Sequence, residues 1–212
     1  MSLVSRRVVD TAGATIQVTD TGDGEPALVF LHYWGGSSRT WRIVIDRLGD
    51  KSRCIALDQR GWGASIATDA RYDLSVMADD VEAVARQLGL GRYVLVGHSM
   101  GGKVAQIVAA RRPKELVGLV LIAPAPPTPM PVPETVRAGM LQSYAGLDAV
   151  RLPVTVVVGD RDQVEHEAAL RDTFARFLPQ TSFQVLLGIG HLSPLEAPDA
   201  LADVCKNMLL SL

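Results

Sequence analysis

Ser99 lies in a Gly-x-Ser-x-Gly segment of the kind that presents a serine for nucleophilic attack. Gly97 and Gly101 flank it at two residues' distance, and the segment joins an apolar run at 93–96 to a stretch in which apolar residues recur at helical spacing. In such a tight strand-to-helix turn, side chains at the glycine positions would collide with the backbone. The hydroxyl is then exposed beyond the strand, and the amide of Met100 points into the same space. The pattern alone is equally compatible with a packing turn.

A phosphate loop is a second interpretation of the same segment. The residues from Gly97 to Lys103 fit the spacing Gly-x4-Gly-Lys, in which backbone amides surround phosphates. That motif requires Ser or Thr as its next residue to hold magnesium, and Val104 stands there instead. The choice therefore depends on whether the rest of the chain supplies partners for Ser99.

Two such partners, Asp162 and His191, follow later predicted strands. The carboxyl ends of parallel strands meet at one edge of a sheet, so both residues are expected at the same edge as Ser99. A serine hydroxyl is nearly inert at neutral pH until a histidine accepts its proton and a carboxylate orients that histidine. The order Ser, Asp, His is one known order of this triad. The sequence thus predicts a catalytic triad and disfavours the phosphate loop.

The predicted elements that position these residues alternate between strand and helix. The predicted strands are Arg6–Asp10, Thr15–Thr19, Ala27–Leu31, Arg53–Leu57, 93–96, Leu116–Ala123, Val154–Val158 and Ser182–Leu187. The first predicted helix ends near Leu48. The other predicted helices span Ser75–Leu88, Met100–Arg112, Glu165–Leu178 and Pro194–Leu212. Most strands lack polar alternation, which indicates a sheet covered on both faces. We predict a single α/β domain, residues 1–212, with a mostly parallel twisted sheet of about eight strands.

Composition narrows the class of protein. The 212 residues are 48% hydrophobic and carry 21 basic against 23 acidic side chains without a basic run, so nucleic acid is not an expected partner. No apolar run approaches the roughly 18 residues needed to span a bilayer, and the N-terminus lacks the apolar region of a signal peptide. We expect a cytoplasmic protein in which Cys54 and Cys205 are reduced. The four histidines show no metal-ligand spacing, and neither a metal nor a cofactor is expected.

Four motifs in this order resemble the α/β-hydrolase superfamily, above all its ester-cleaving serine hydrolases. They are His32-x-Trp34-Gly35-Gly36, Asp58-x-Arg60-Gly61-x-Gly63-x-Ser65, the segment 97–102, and Gly190-His191. The resemblance covers nearly the whole chain and implies the α/β-hydrolase fold.

The resemblance also implies a role for each site residue. Ser99 corresponds to the nucleophile, His191 to the general base and Asp162 to the acid, with Asp160 as the alternative, a turn carboxylate. The backbone amides of Met100 and Trp34 correspond to the oxyanion hole, although Tyr33 replaces the glycine that the family usually has.

Other polar residues near the motifs are given structural roles. We expect His32 and His98 to hold loops and His166 to face solvent. Asp58 and Arg60 are interpreted as an ion pair that braces a loop. Three acidic residues of the second predicted helix are assigned to a solvated face: Asp79, Asp80 and Glu82.

The segment 124–152 corresponds to the cap of the superfamily but is much shorter. Its one predicted helix, from Glu134 to Tyr144, either walls an acyl pocket or packs on the sheet edge. The predicted pocket residues are Tyr33, Val136, Met140, Leu141 and Tyr144. A minimal cap implies an open site.

The predicted function is hydrolysis of small to medium carboxylic esters through an acyl-enzyme. The alternatives on the same triad are lactone, thioester, carbon–carbon or perhydrolysis chemistry, and the alternative outside catalysis is a small-molecule-binding relative. Halide and epoxide chemistry is disfavoured, because those relatives have a carboxylate at the position of Ser99. The expected partner is a small-molecule ester, and a homo-oligomer is compatible with the short cap.

Overall fold

The structure is a computed structural model that describes residues 5–49, 52–128 and 146–212. Nine strands form one sheet in the order β1-β2-β4-β3-β6-β7-β8-β9, and β5 pairs with β2. The strands are β1 (Ser5–Thr11), β2 (Ala14–Thr21), β3 (Ala27–Leu31), β4 (Cys54–Leu57), β5 (Ile66–Ala67), β6 (Tyr93–His98), β7 (Leu116–Ile122), β8 (Val154–Gly159) and β9 (Ser182–Leu186). The helices are α1 (Arg42–Leu48), α2 (Leu74–Gln87), α3 (Met100–Arg111), α4 (Glu167–Phe177), α5 (Ser193–Glu196) and α6 (Pro198–Leu210).

The sheet confirms the predicted fold class. β4, β3, β6, β7, β8 and β9 are parallel, whereas β1 and β2 form an antiparallel hairpin that pairs with β4. The central strands are buried on both faces, as their uninterrupted apolar sequences predict. One apolar core packs under α2, α3 and α4, and the other packs under α1 and α6.

The closing helix is the clearest departure from the predicted elements. The sequence predicts one helix from Pro194 to Leu212, but the chain forms α5 and α6 with a break at Ala197 (φ −137°, ψ 54°). Pro198 causes the break, since the residue before a proline is pushed out of the helical region and proline itself lacks an amide hydrogen. The break sets α5 apart as a single turn immediately after His191.

Two predictions for acidic residues are wrong. Arg60 does not pair with Asp58: its guanidinium is fully buried and binds Asp80 at 2.8 Å and Asp69 at 2.7 Å. Asp80 is therefore not solvated, being only 3% exposed. Asp58 instead accepts the amides of Ser38 and Ala64 at 2.7 and 2.8 Å. A buried guanidinium needs a carboxylate beside it, and Asp80 on α2 is within reach.

Other predictions agree with the described residues. Cys54 and Cys205 are buried free thiols, and His166 is exposed. No helix among the described residues is both long and apolar enough to cross a membrane. The predicted helix from Glu134 to Tyr144 lies outside the described residues, and so do four predicted pocket residues: Val136, Met140, Leu141 and Tyr144.

Candidate active site

Ser99 occupies a strained turn between β6 and α3. Its backbone lies at φ 52° and ψ −115°, a region that costs a non-glycine residue about 1–3 kcal/mol. Three backbone hydrogen bonds hold it there: Ser99 N donates to Ile122 O at 3.0 Å, and Ser99 O accepts from Lys103 N at 3.2 Å and Ala125 N at 3.1 Å. The neighbouring strand β7 and its following loop therefore impose the strain, which aims the side chain away from the sheet.

The flanking glycines are required by close backbone contacts. A Cβ on Gly97 would lie 2.5 Å from Gly101 O, and a Cβ on Gly101 would lie 2.4 Å from Leu31 O. The first turn of α3 therefore packs directly on the carboxyl end of β3. As a result, the start of the segment after Leu31, which leads to Trp34, lies against the first turn of α3.

His32 fixes the loop that carries Trp34. Its Nδ1 lies 2.7 Å from Tyr33 O, while its Nε2 accepts the amide of Gln59 at 3.0 Å. The Gln59 side chain donates to His32 O at 2.7 Å. Burial lowers the pKa of His32 against the opposing effect of the Tyr33 carbonyl, so the ring is neutral with its proton on Nδ1. The amides of Trp34 and Met100 meet no acceptor among the described residues.

A buried Asp162 and a partly exposed His191 form a hydrogen-bonded pair. His191 Nδ1 lies 2.9 Å from Asp162 Oδ2 and 3.1 Å from Oδ1. Asp162 Oδ1 also accepts the amides of Val164 and Glu165 at 2.8 and 2.9 Å. Burial raises the pKa of Asp162, but hydrogen bonds from His191 and the two amides outweigh it, and the net shift is downward. An ionised Asp162 therefore faces the proton on His191 Nδ1, leaving Nε2 as the basic nitrogen.

Glu196, on the single-turn helix α5, holds the loop that carries His191. Its two carboxylate oxygens accept the amides of Gly190 at 2.8 Å and Leu192 at 3.0 Å, one on each side of the histidine. A Cβ on Gly159 would lie 2.1 Å from Ile189 O, so this loop also presses on the end of β8. These contacts set the separation between the loops of Asp162 and His191.

His98, the residue before Ser99, contacts the same loop from the other side. Its Nε2 donates to His191 O at 2.8 Å, and the two imidazole rings lie 5.2 Å apart between centroids. The ring of Tyr33 packs edge-on to His98 at 5.2 Å. Burial lowers the pKa of His98 to about 3, an effect that the nearby His191 strengthens, so this ring stays neutral.

Two further ionisable groups, Lys103 and Glu165, are buried. Lys103, one helical turn after Ser99, donates to Thr128 O at 3.0 Å, and burial lowers its pKa to about 8. Burial and the charge of Asp162 raise the pKa of Glu165 to about 8. The opposite charges of Lys103 and Glu165 partly oppose these two pKa shifts.

The structure thus brings most of the predicted site residues to one sheet edge. Ser99 is covalently joined to His98, whose ring lies against His191, and His191 binds Asp162; no hydrogen bond links Ser99 Oγ to His191 Nε2. Asp160 lies apart and accepts the amide of Gly188 at 2.6 Å. Sequence analysis did not identify Glu196, Lys103 or Glu165. No group of three or more metal-binding side chains occurs among the described residues.

Comparison with known proteins places the chain in a family. Residues 26–151 match the model of the alpha/beta hydrolase fold family. The chain is 40% identical over 136 residues to the sn-1-specific diacylglycerol lipase ABHD11 of Mus musculus, covering 62% of this chain and 41% of the lipase. It is 34% identical over 122 residues to a fluoroacetate dehalogenase of Burkholderia sp., covering 55% of this chain and 40% of the dehalogenase. The chain thus spans about two fifths of these relatives.

Solved structures extend the likeness to nearly the whole chain. A thermophilic esterase from Thermogutta terrifontis superposes with a TM-score of 0.82 at 22% identity, covering 98% of each chain. At this identity the likeness shows the fold alone.

Proposed function

The chain belongs to the α/β-hydrolase family, and on that premise we propose that it is a serine hydrolase acting on carboxylic esters. The observation that carries the proposal is the Asp162–His191 pair, which lies at the same sheet edge as a strained Ser99. A carboxylate and an imidazole held together in this way are the two groups that a serine nucleophile requires. The similarity to a lipase and to a dehalogenase leaves the reaction open, and the serine at position 99 favours acyl transfer.

In the proposed mechanism Ser99 Oγ attacks the ester carbonyl carbon while its proton passes to His191 Nε2. Asp162 stabilises the resulting imidazolium through Nδ1–H. The carbonyl oxygen becomes an anion and accepts hydrogen bonds from the amides of Trp34 and Met100. The intermediate then collapses, and His191 returns the proton to the departing alcohol oxygen.

The second half of the reaction uses the same groups. Water attacks the acyl-enzyme carbonyl, its proton passes to His191, and the carboxylic acid leaves as Ser99 regains its proton. Proposed substrates have small to medium acyl chains. Tyr33 is the described member of the predicted pocket, and its ring packs against His98 beside the base.

Labelling and turnover test the proposal together. We expect the wild type to react with a fluorophosphonate probe and to hydrolyse p-nitrophenyl acetate and butyrate, and Ser99→Ala to lose both, with a rate loss of roughly 10³-fold or more. Ser182→Ala, an exposed serine on β9, is the matched control and should label and turn over normally. His191→Ala should cost about as much as Ser99→Ala, and the double variant little more, because the triad acts as a unit. Retained hydrolysis in a folded Ser99→Ala variant would refute the assignment.

A further inference from the structure

A polar groove lies on the sheet where α1 stops covering it. One face of β2 is buried, with Ile16 and Val18 in the core, while the other face presents Gln17, Thr19 and Thr21. The seven-residue helix α1 does not extend over this second face, and it leaves a groove of about 610 Å³. That volume lies within the range of small-molecule sites, roughly 300–1,000 Å³. No member of the candidate triad lines the groove.

Three arginines converge on this groove from two sides. Arg6 reaches it from β1, and Arg39 and Arg42 reach it from the 3-10 helix Ser38–Trp41 and from the start of α1. Within the described part of the chain, none of these three guanidinium groups has a hydrogen-bond or ion-pair partner. Elsewhere in the described residues Arg53, Arg60 and Arg111 bind carboxylates, so the three groove arginines differ from them in facing a groove without a bound partner.

The acidic residues of the groove do not neutralise these arginines. Asp58 uses its two carboxylate oxygens on the amides of Ser38 and Ala64, and Asp46 is the second acid in the lining. Three guanidinium groups therefore face two carboxylates, one of which is already engaged. The remaining lining is rich in hydroxyl groups, from Thr19, Thr21 and Ser37.

We propose that this groove binds a phosphate-bearing organic molecule, with Arg6, Arg39 and Arg42 holding the phosphate. A planar guanidinium donates two parallel hydrogen bonds to a phosphate or carboxylate, and several such forks match a dianionic phosphate better than a single carboxylate. The hydroxyl-lined floor offers donors and acceptors to the rest of the molecule. The groove exceeds the size of a phosphate ion, which implies an organic portion.

The groove is joined to the candidate active site through Asp58. That carboxylate connects Ser38, four residues after Trp34, to Ala64, two residues after Trp62. The rings of Trp34 and Trp62 are in contact, with centroids 5.1 Å apart. A ligand in the groove therefore contacts two segments. One leads back to Trp34, whose amide belongs to the proposed oxyanion hole, and the other leads back to Trp62, whose ring contacts Trp34.

Calorimetric titration with inorganic phosphate and AMP tests the proposal without reference to ester hydrolysis. We expect saturable binding of one AMP per chain, tighter than that of inorganic phosphate, and a Kd at least tenfold higher in Arg6→Gln/Arg39→Gln/Arg42→Gln. The matched control is Arg92→Gln/Arg112→Gln/Lys114→Gln, which removes three exposed positive charges from the opposite end of the strands and should leave the Kd within twofold.

Three results would overturn the assignment. The first is no saturable binding by the wild type, and the second is equal weakening of AMP binding in both triple variants. The third, from a parallel titration with citrate, is binding of citrate without binding of phosphate or AMP. Should the triple variant not fold, the three single Gln variants carry the test, and each is expected to raise the Kd several-fold. Ester hydrolysis by the wild type and by the groove variants is measured in parallel, so failure of the groove proposal and failure of the hydrolase proposal are separately visible.

Discussion

At the scale of single residues, Asp160 and Asp162 lie two positions apart but have different partners. Asp162 binds His191, whereas Asp160 accepts the amide of Gly188. We expect Asp162→Asn to reduce kcat for p-nitrophenyl butyrate by about 10³–10⁴-fold, because the amide favours the wrong imidazole tautomer. Asp160→Asn is the control and should change kcat by no more than a few-fold. A large loss in Asp160→Asn with a small loss in Asp162→Asn would reverse the roles of the two carboxylates.

His98 gives a prediction for stability against pH. Its folded pKa of about 3 lies below the ordinary value, so the unfolded chain binds a proton between about pH 6.5 and 3 that the native ring refuses. Stability should therefore fall as the pH drops through this window. His98→Gln keeps a side-chain donor without the titration, and we expect its urea midpoint to decline less than that of the wild type from pH 7 to 4.

The outcome for His98→Gln is distinguished from simple destabilisation by its pH dependence. A constant loss at every pH would show that the ring contributes packing alone and would contradict the prediction. His166→Gln is the matched control, because it makes the same substitution at an exposed histidine.

Which site residues the sequence could reveal depended on how local their signal was. Ser99 and its two glycines form one contiguous motif because a single turn imposes all three. Glu196 carries no such signal: its hydrogen bonds run back to Gly190 and Leu192, and a glutamate after Pro194 is unremarkable in sequence. Its role appears only once the break at Ala197 isolates α5.

At the scale of elements, α2 is anchored to the loop after β4 by a buried ion pair. Asp80 on α2 binds Arg60, which also donates to the carbonyls of Ala12 and Gly13. Hydrogen bonding to Asp80 raises the pKa of Arg60, which therefore remains charged in the core. The pair ties α2, the first hairpin and the loop after β4 to one another.

Removal of this anchor should destabilise the fold. We expect Asp80→Ala to lower the free energy of unfolding by about 3 kcal/mol, because it leaves a buried guanidinium short of its main carboxylate. Asp79→Ala is the neighbouring control: its carboxylate is 58% exposed and pairs with Arg111, so it should cost less than about 1 kcal/mol. Urea unfolding measures the free energy of unfolding of both variants. Equal losses would show that the buried ion pair contributes no more stability than the exposed one.

The position of Asp80 along α2 is compatible with burial. Met77 and Val81 lie on the buried stripe of α2, and Asp80 stands three residues after Met77 and next to Val81. Its charge led to the solvated assignment, because the sequence does not show that a fully buried arginine from a distant loop approaches it. Propensity identifies the helix, but pairing across distant segments decides which acids it buries.

At the scale of the whole molecule, alternating apolar strands and helices were sufficient to predict the sheet. The groove beside β2 was not predicted, because it depends on how short α1 is relative to the sheet and not on any motif. Arg39 and Arg42 are three residues apart, but Arg6 lies on β1, and together the three gave no recognisable pattern.

The connection between β7 and β8 provides a test at this scale. The hydrogen bonds that hold Ser99, Asp162 and His191 in place run between described residues outside 129–145. We therefore expect a variant in which 129–145 is replaced by a Gly-Ser linker of equal length to keep fluorophosphonate labelling at Ser99, while its preference among p-nitrophenyl esters changes. The same replacement in a Ser99→Ala background should not label. Loss of labelling in a folded linker variant would show that the connection supports the site itself.

The strands and loops that hold the proposed triad also bear on how such a chain evolves. Ser99 is held by β7 and Ala125, and His191 by Glu196 and the end of β8, and all of these contacts lie outside 129–145. Under the proposed function, we expect insertions and deletions within 129–145 to change which molecules reach Ser99 and to leave the hydrogen bonds around Ser99, Asp162 and His191 in place. We therefore expect selectivity to change by insertions and deletions within 129–145 in a single step, whereas the segments that make the backbone contacts around the proposed triad should accept almost none.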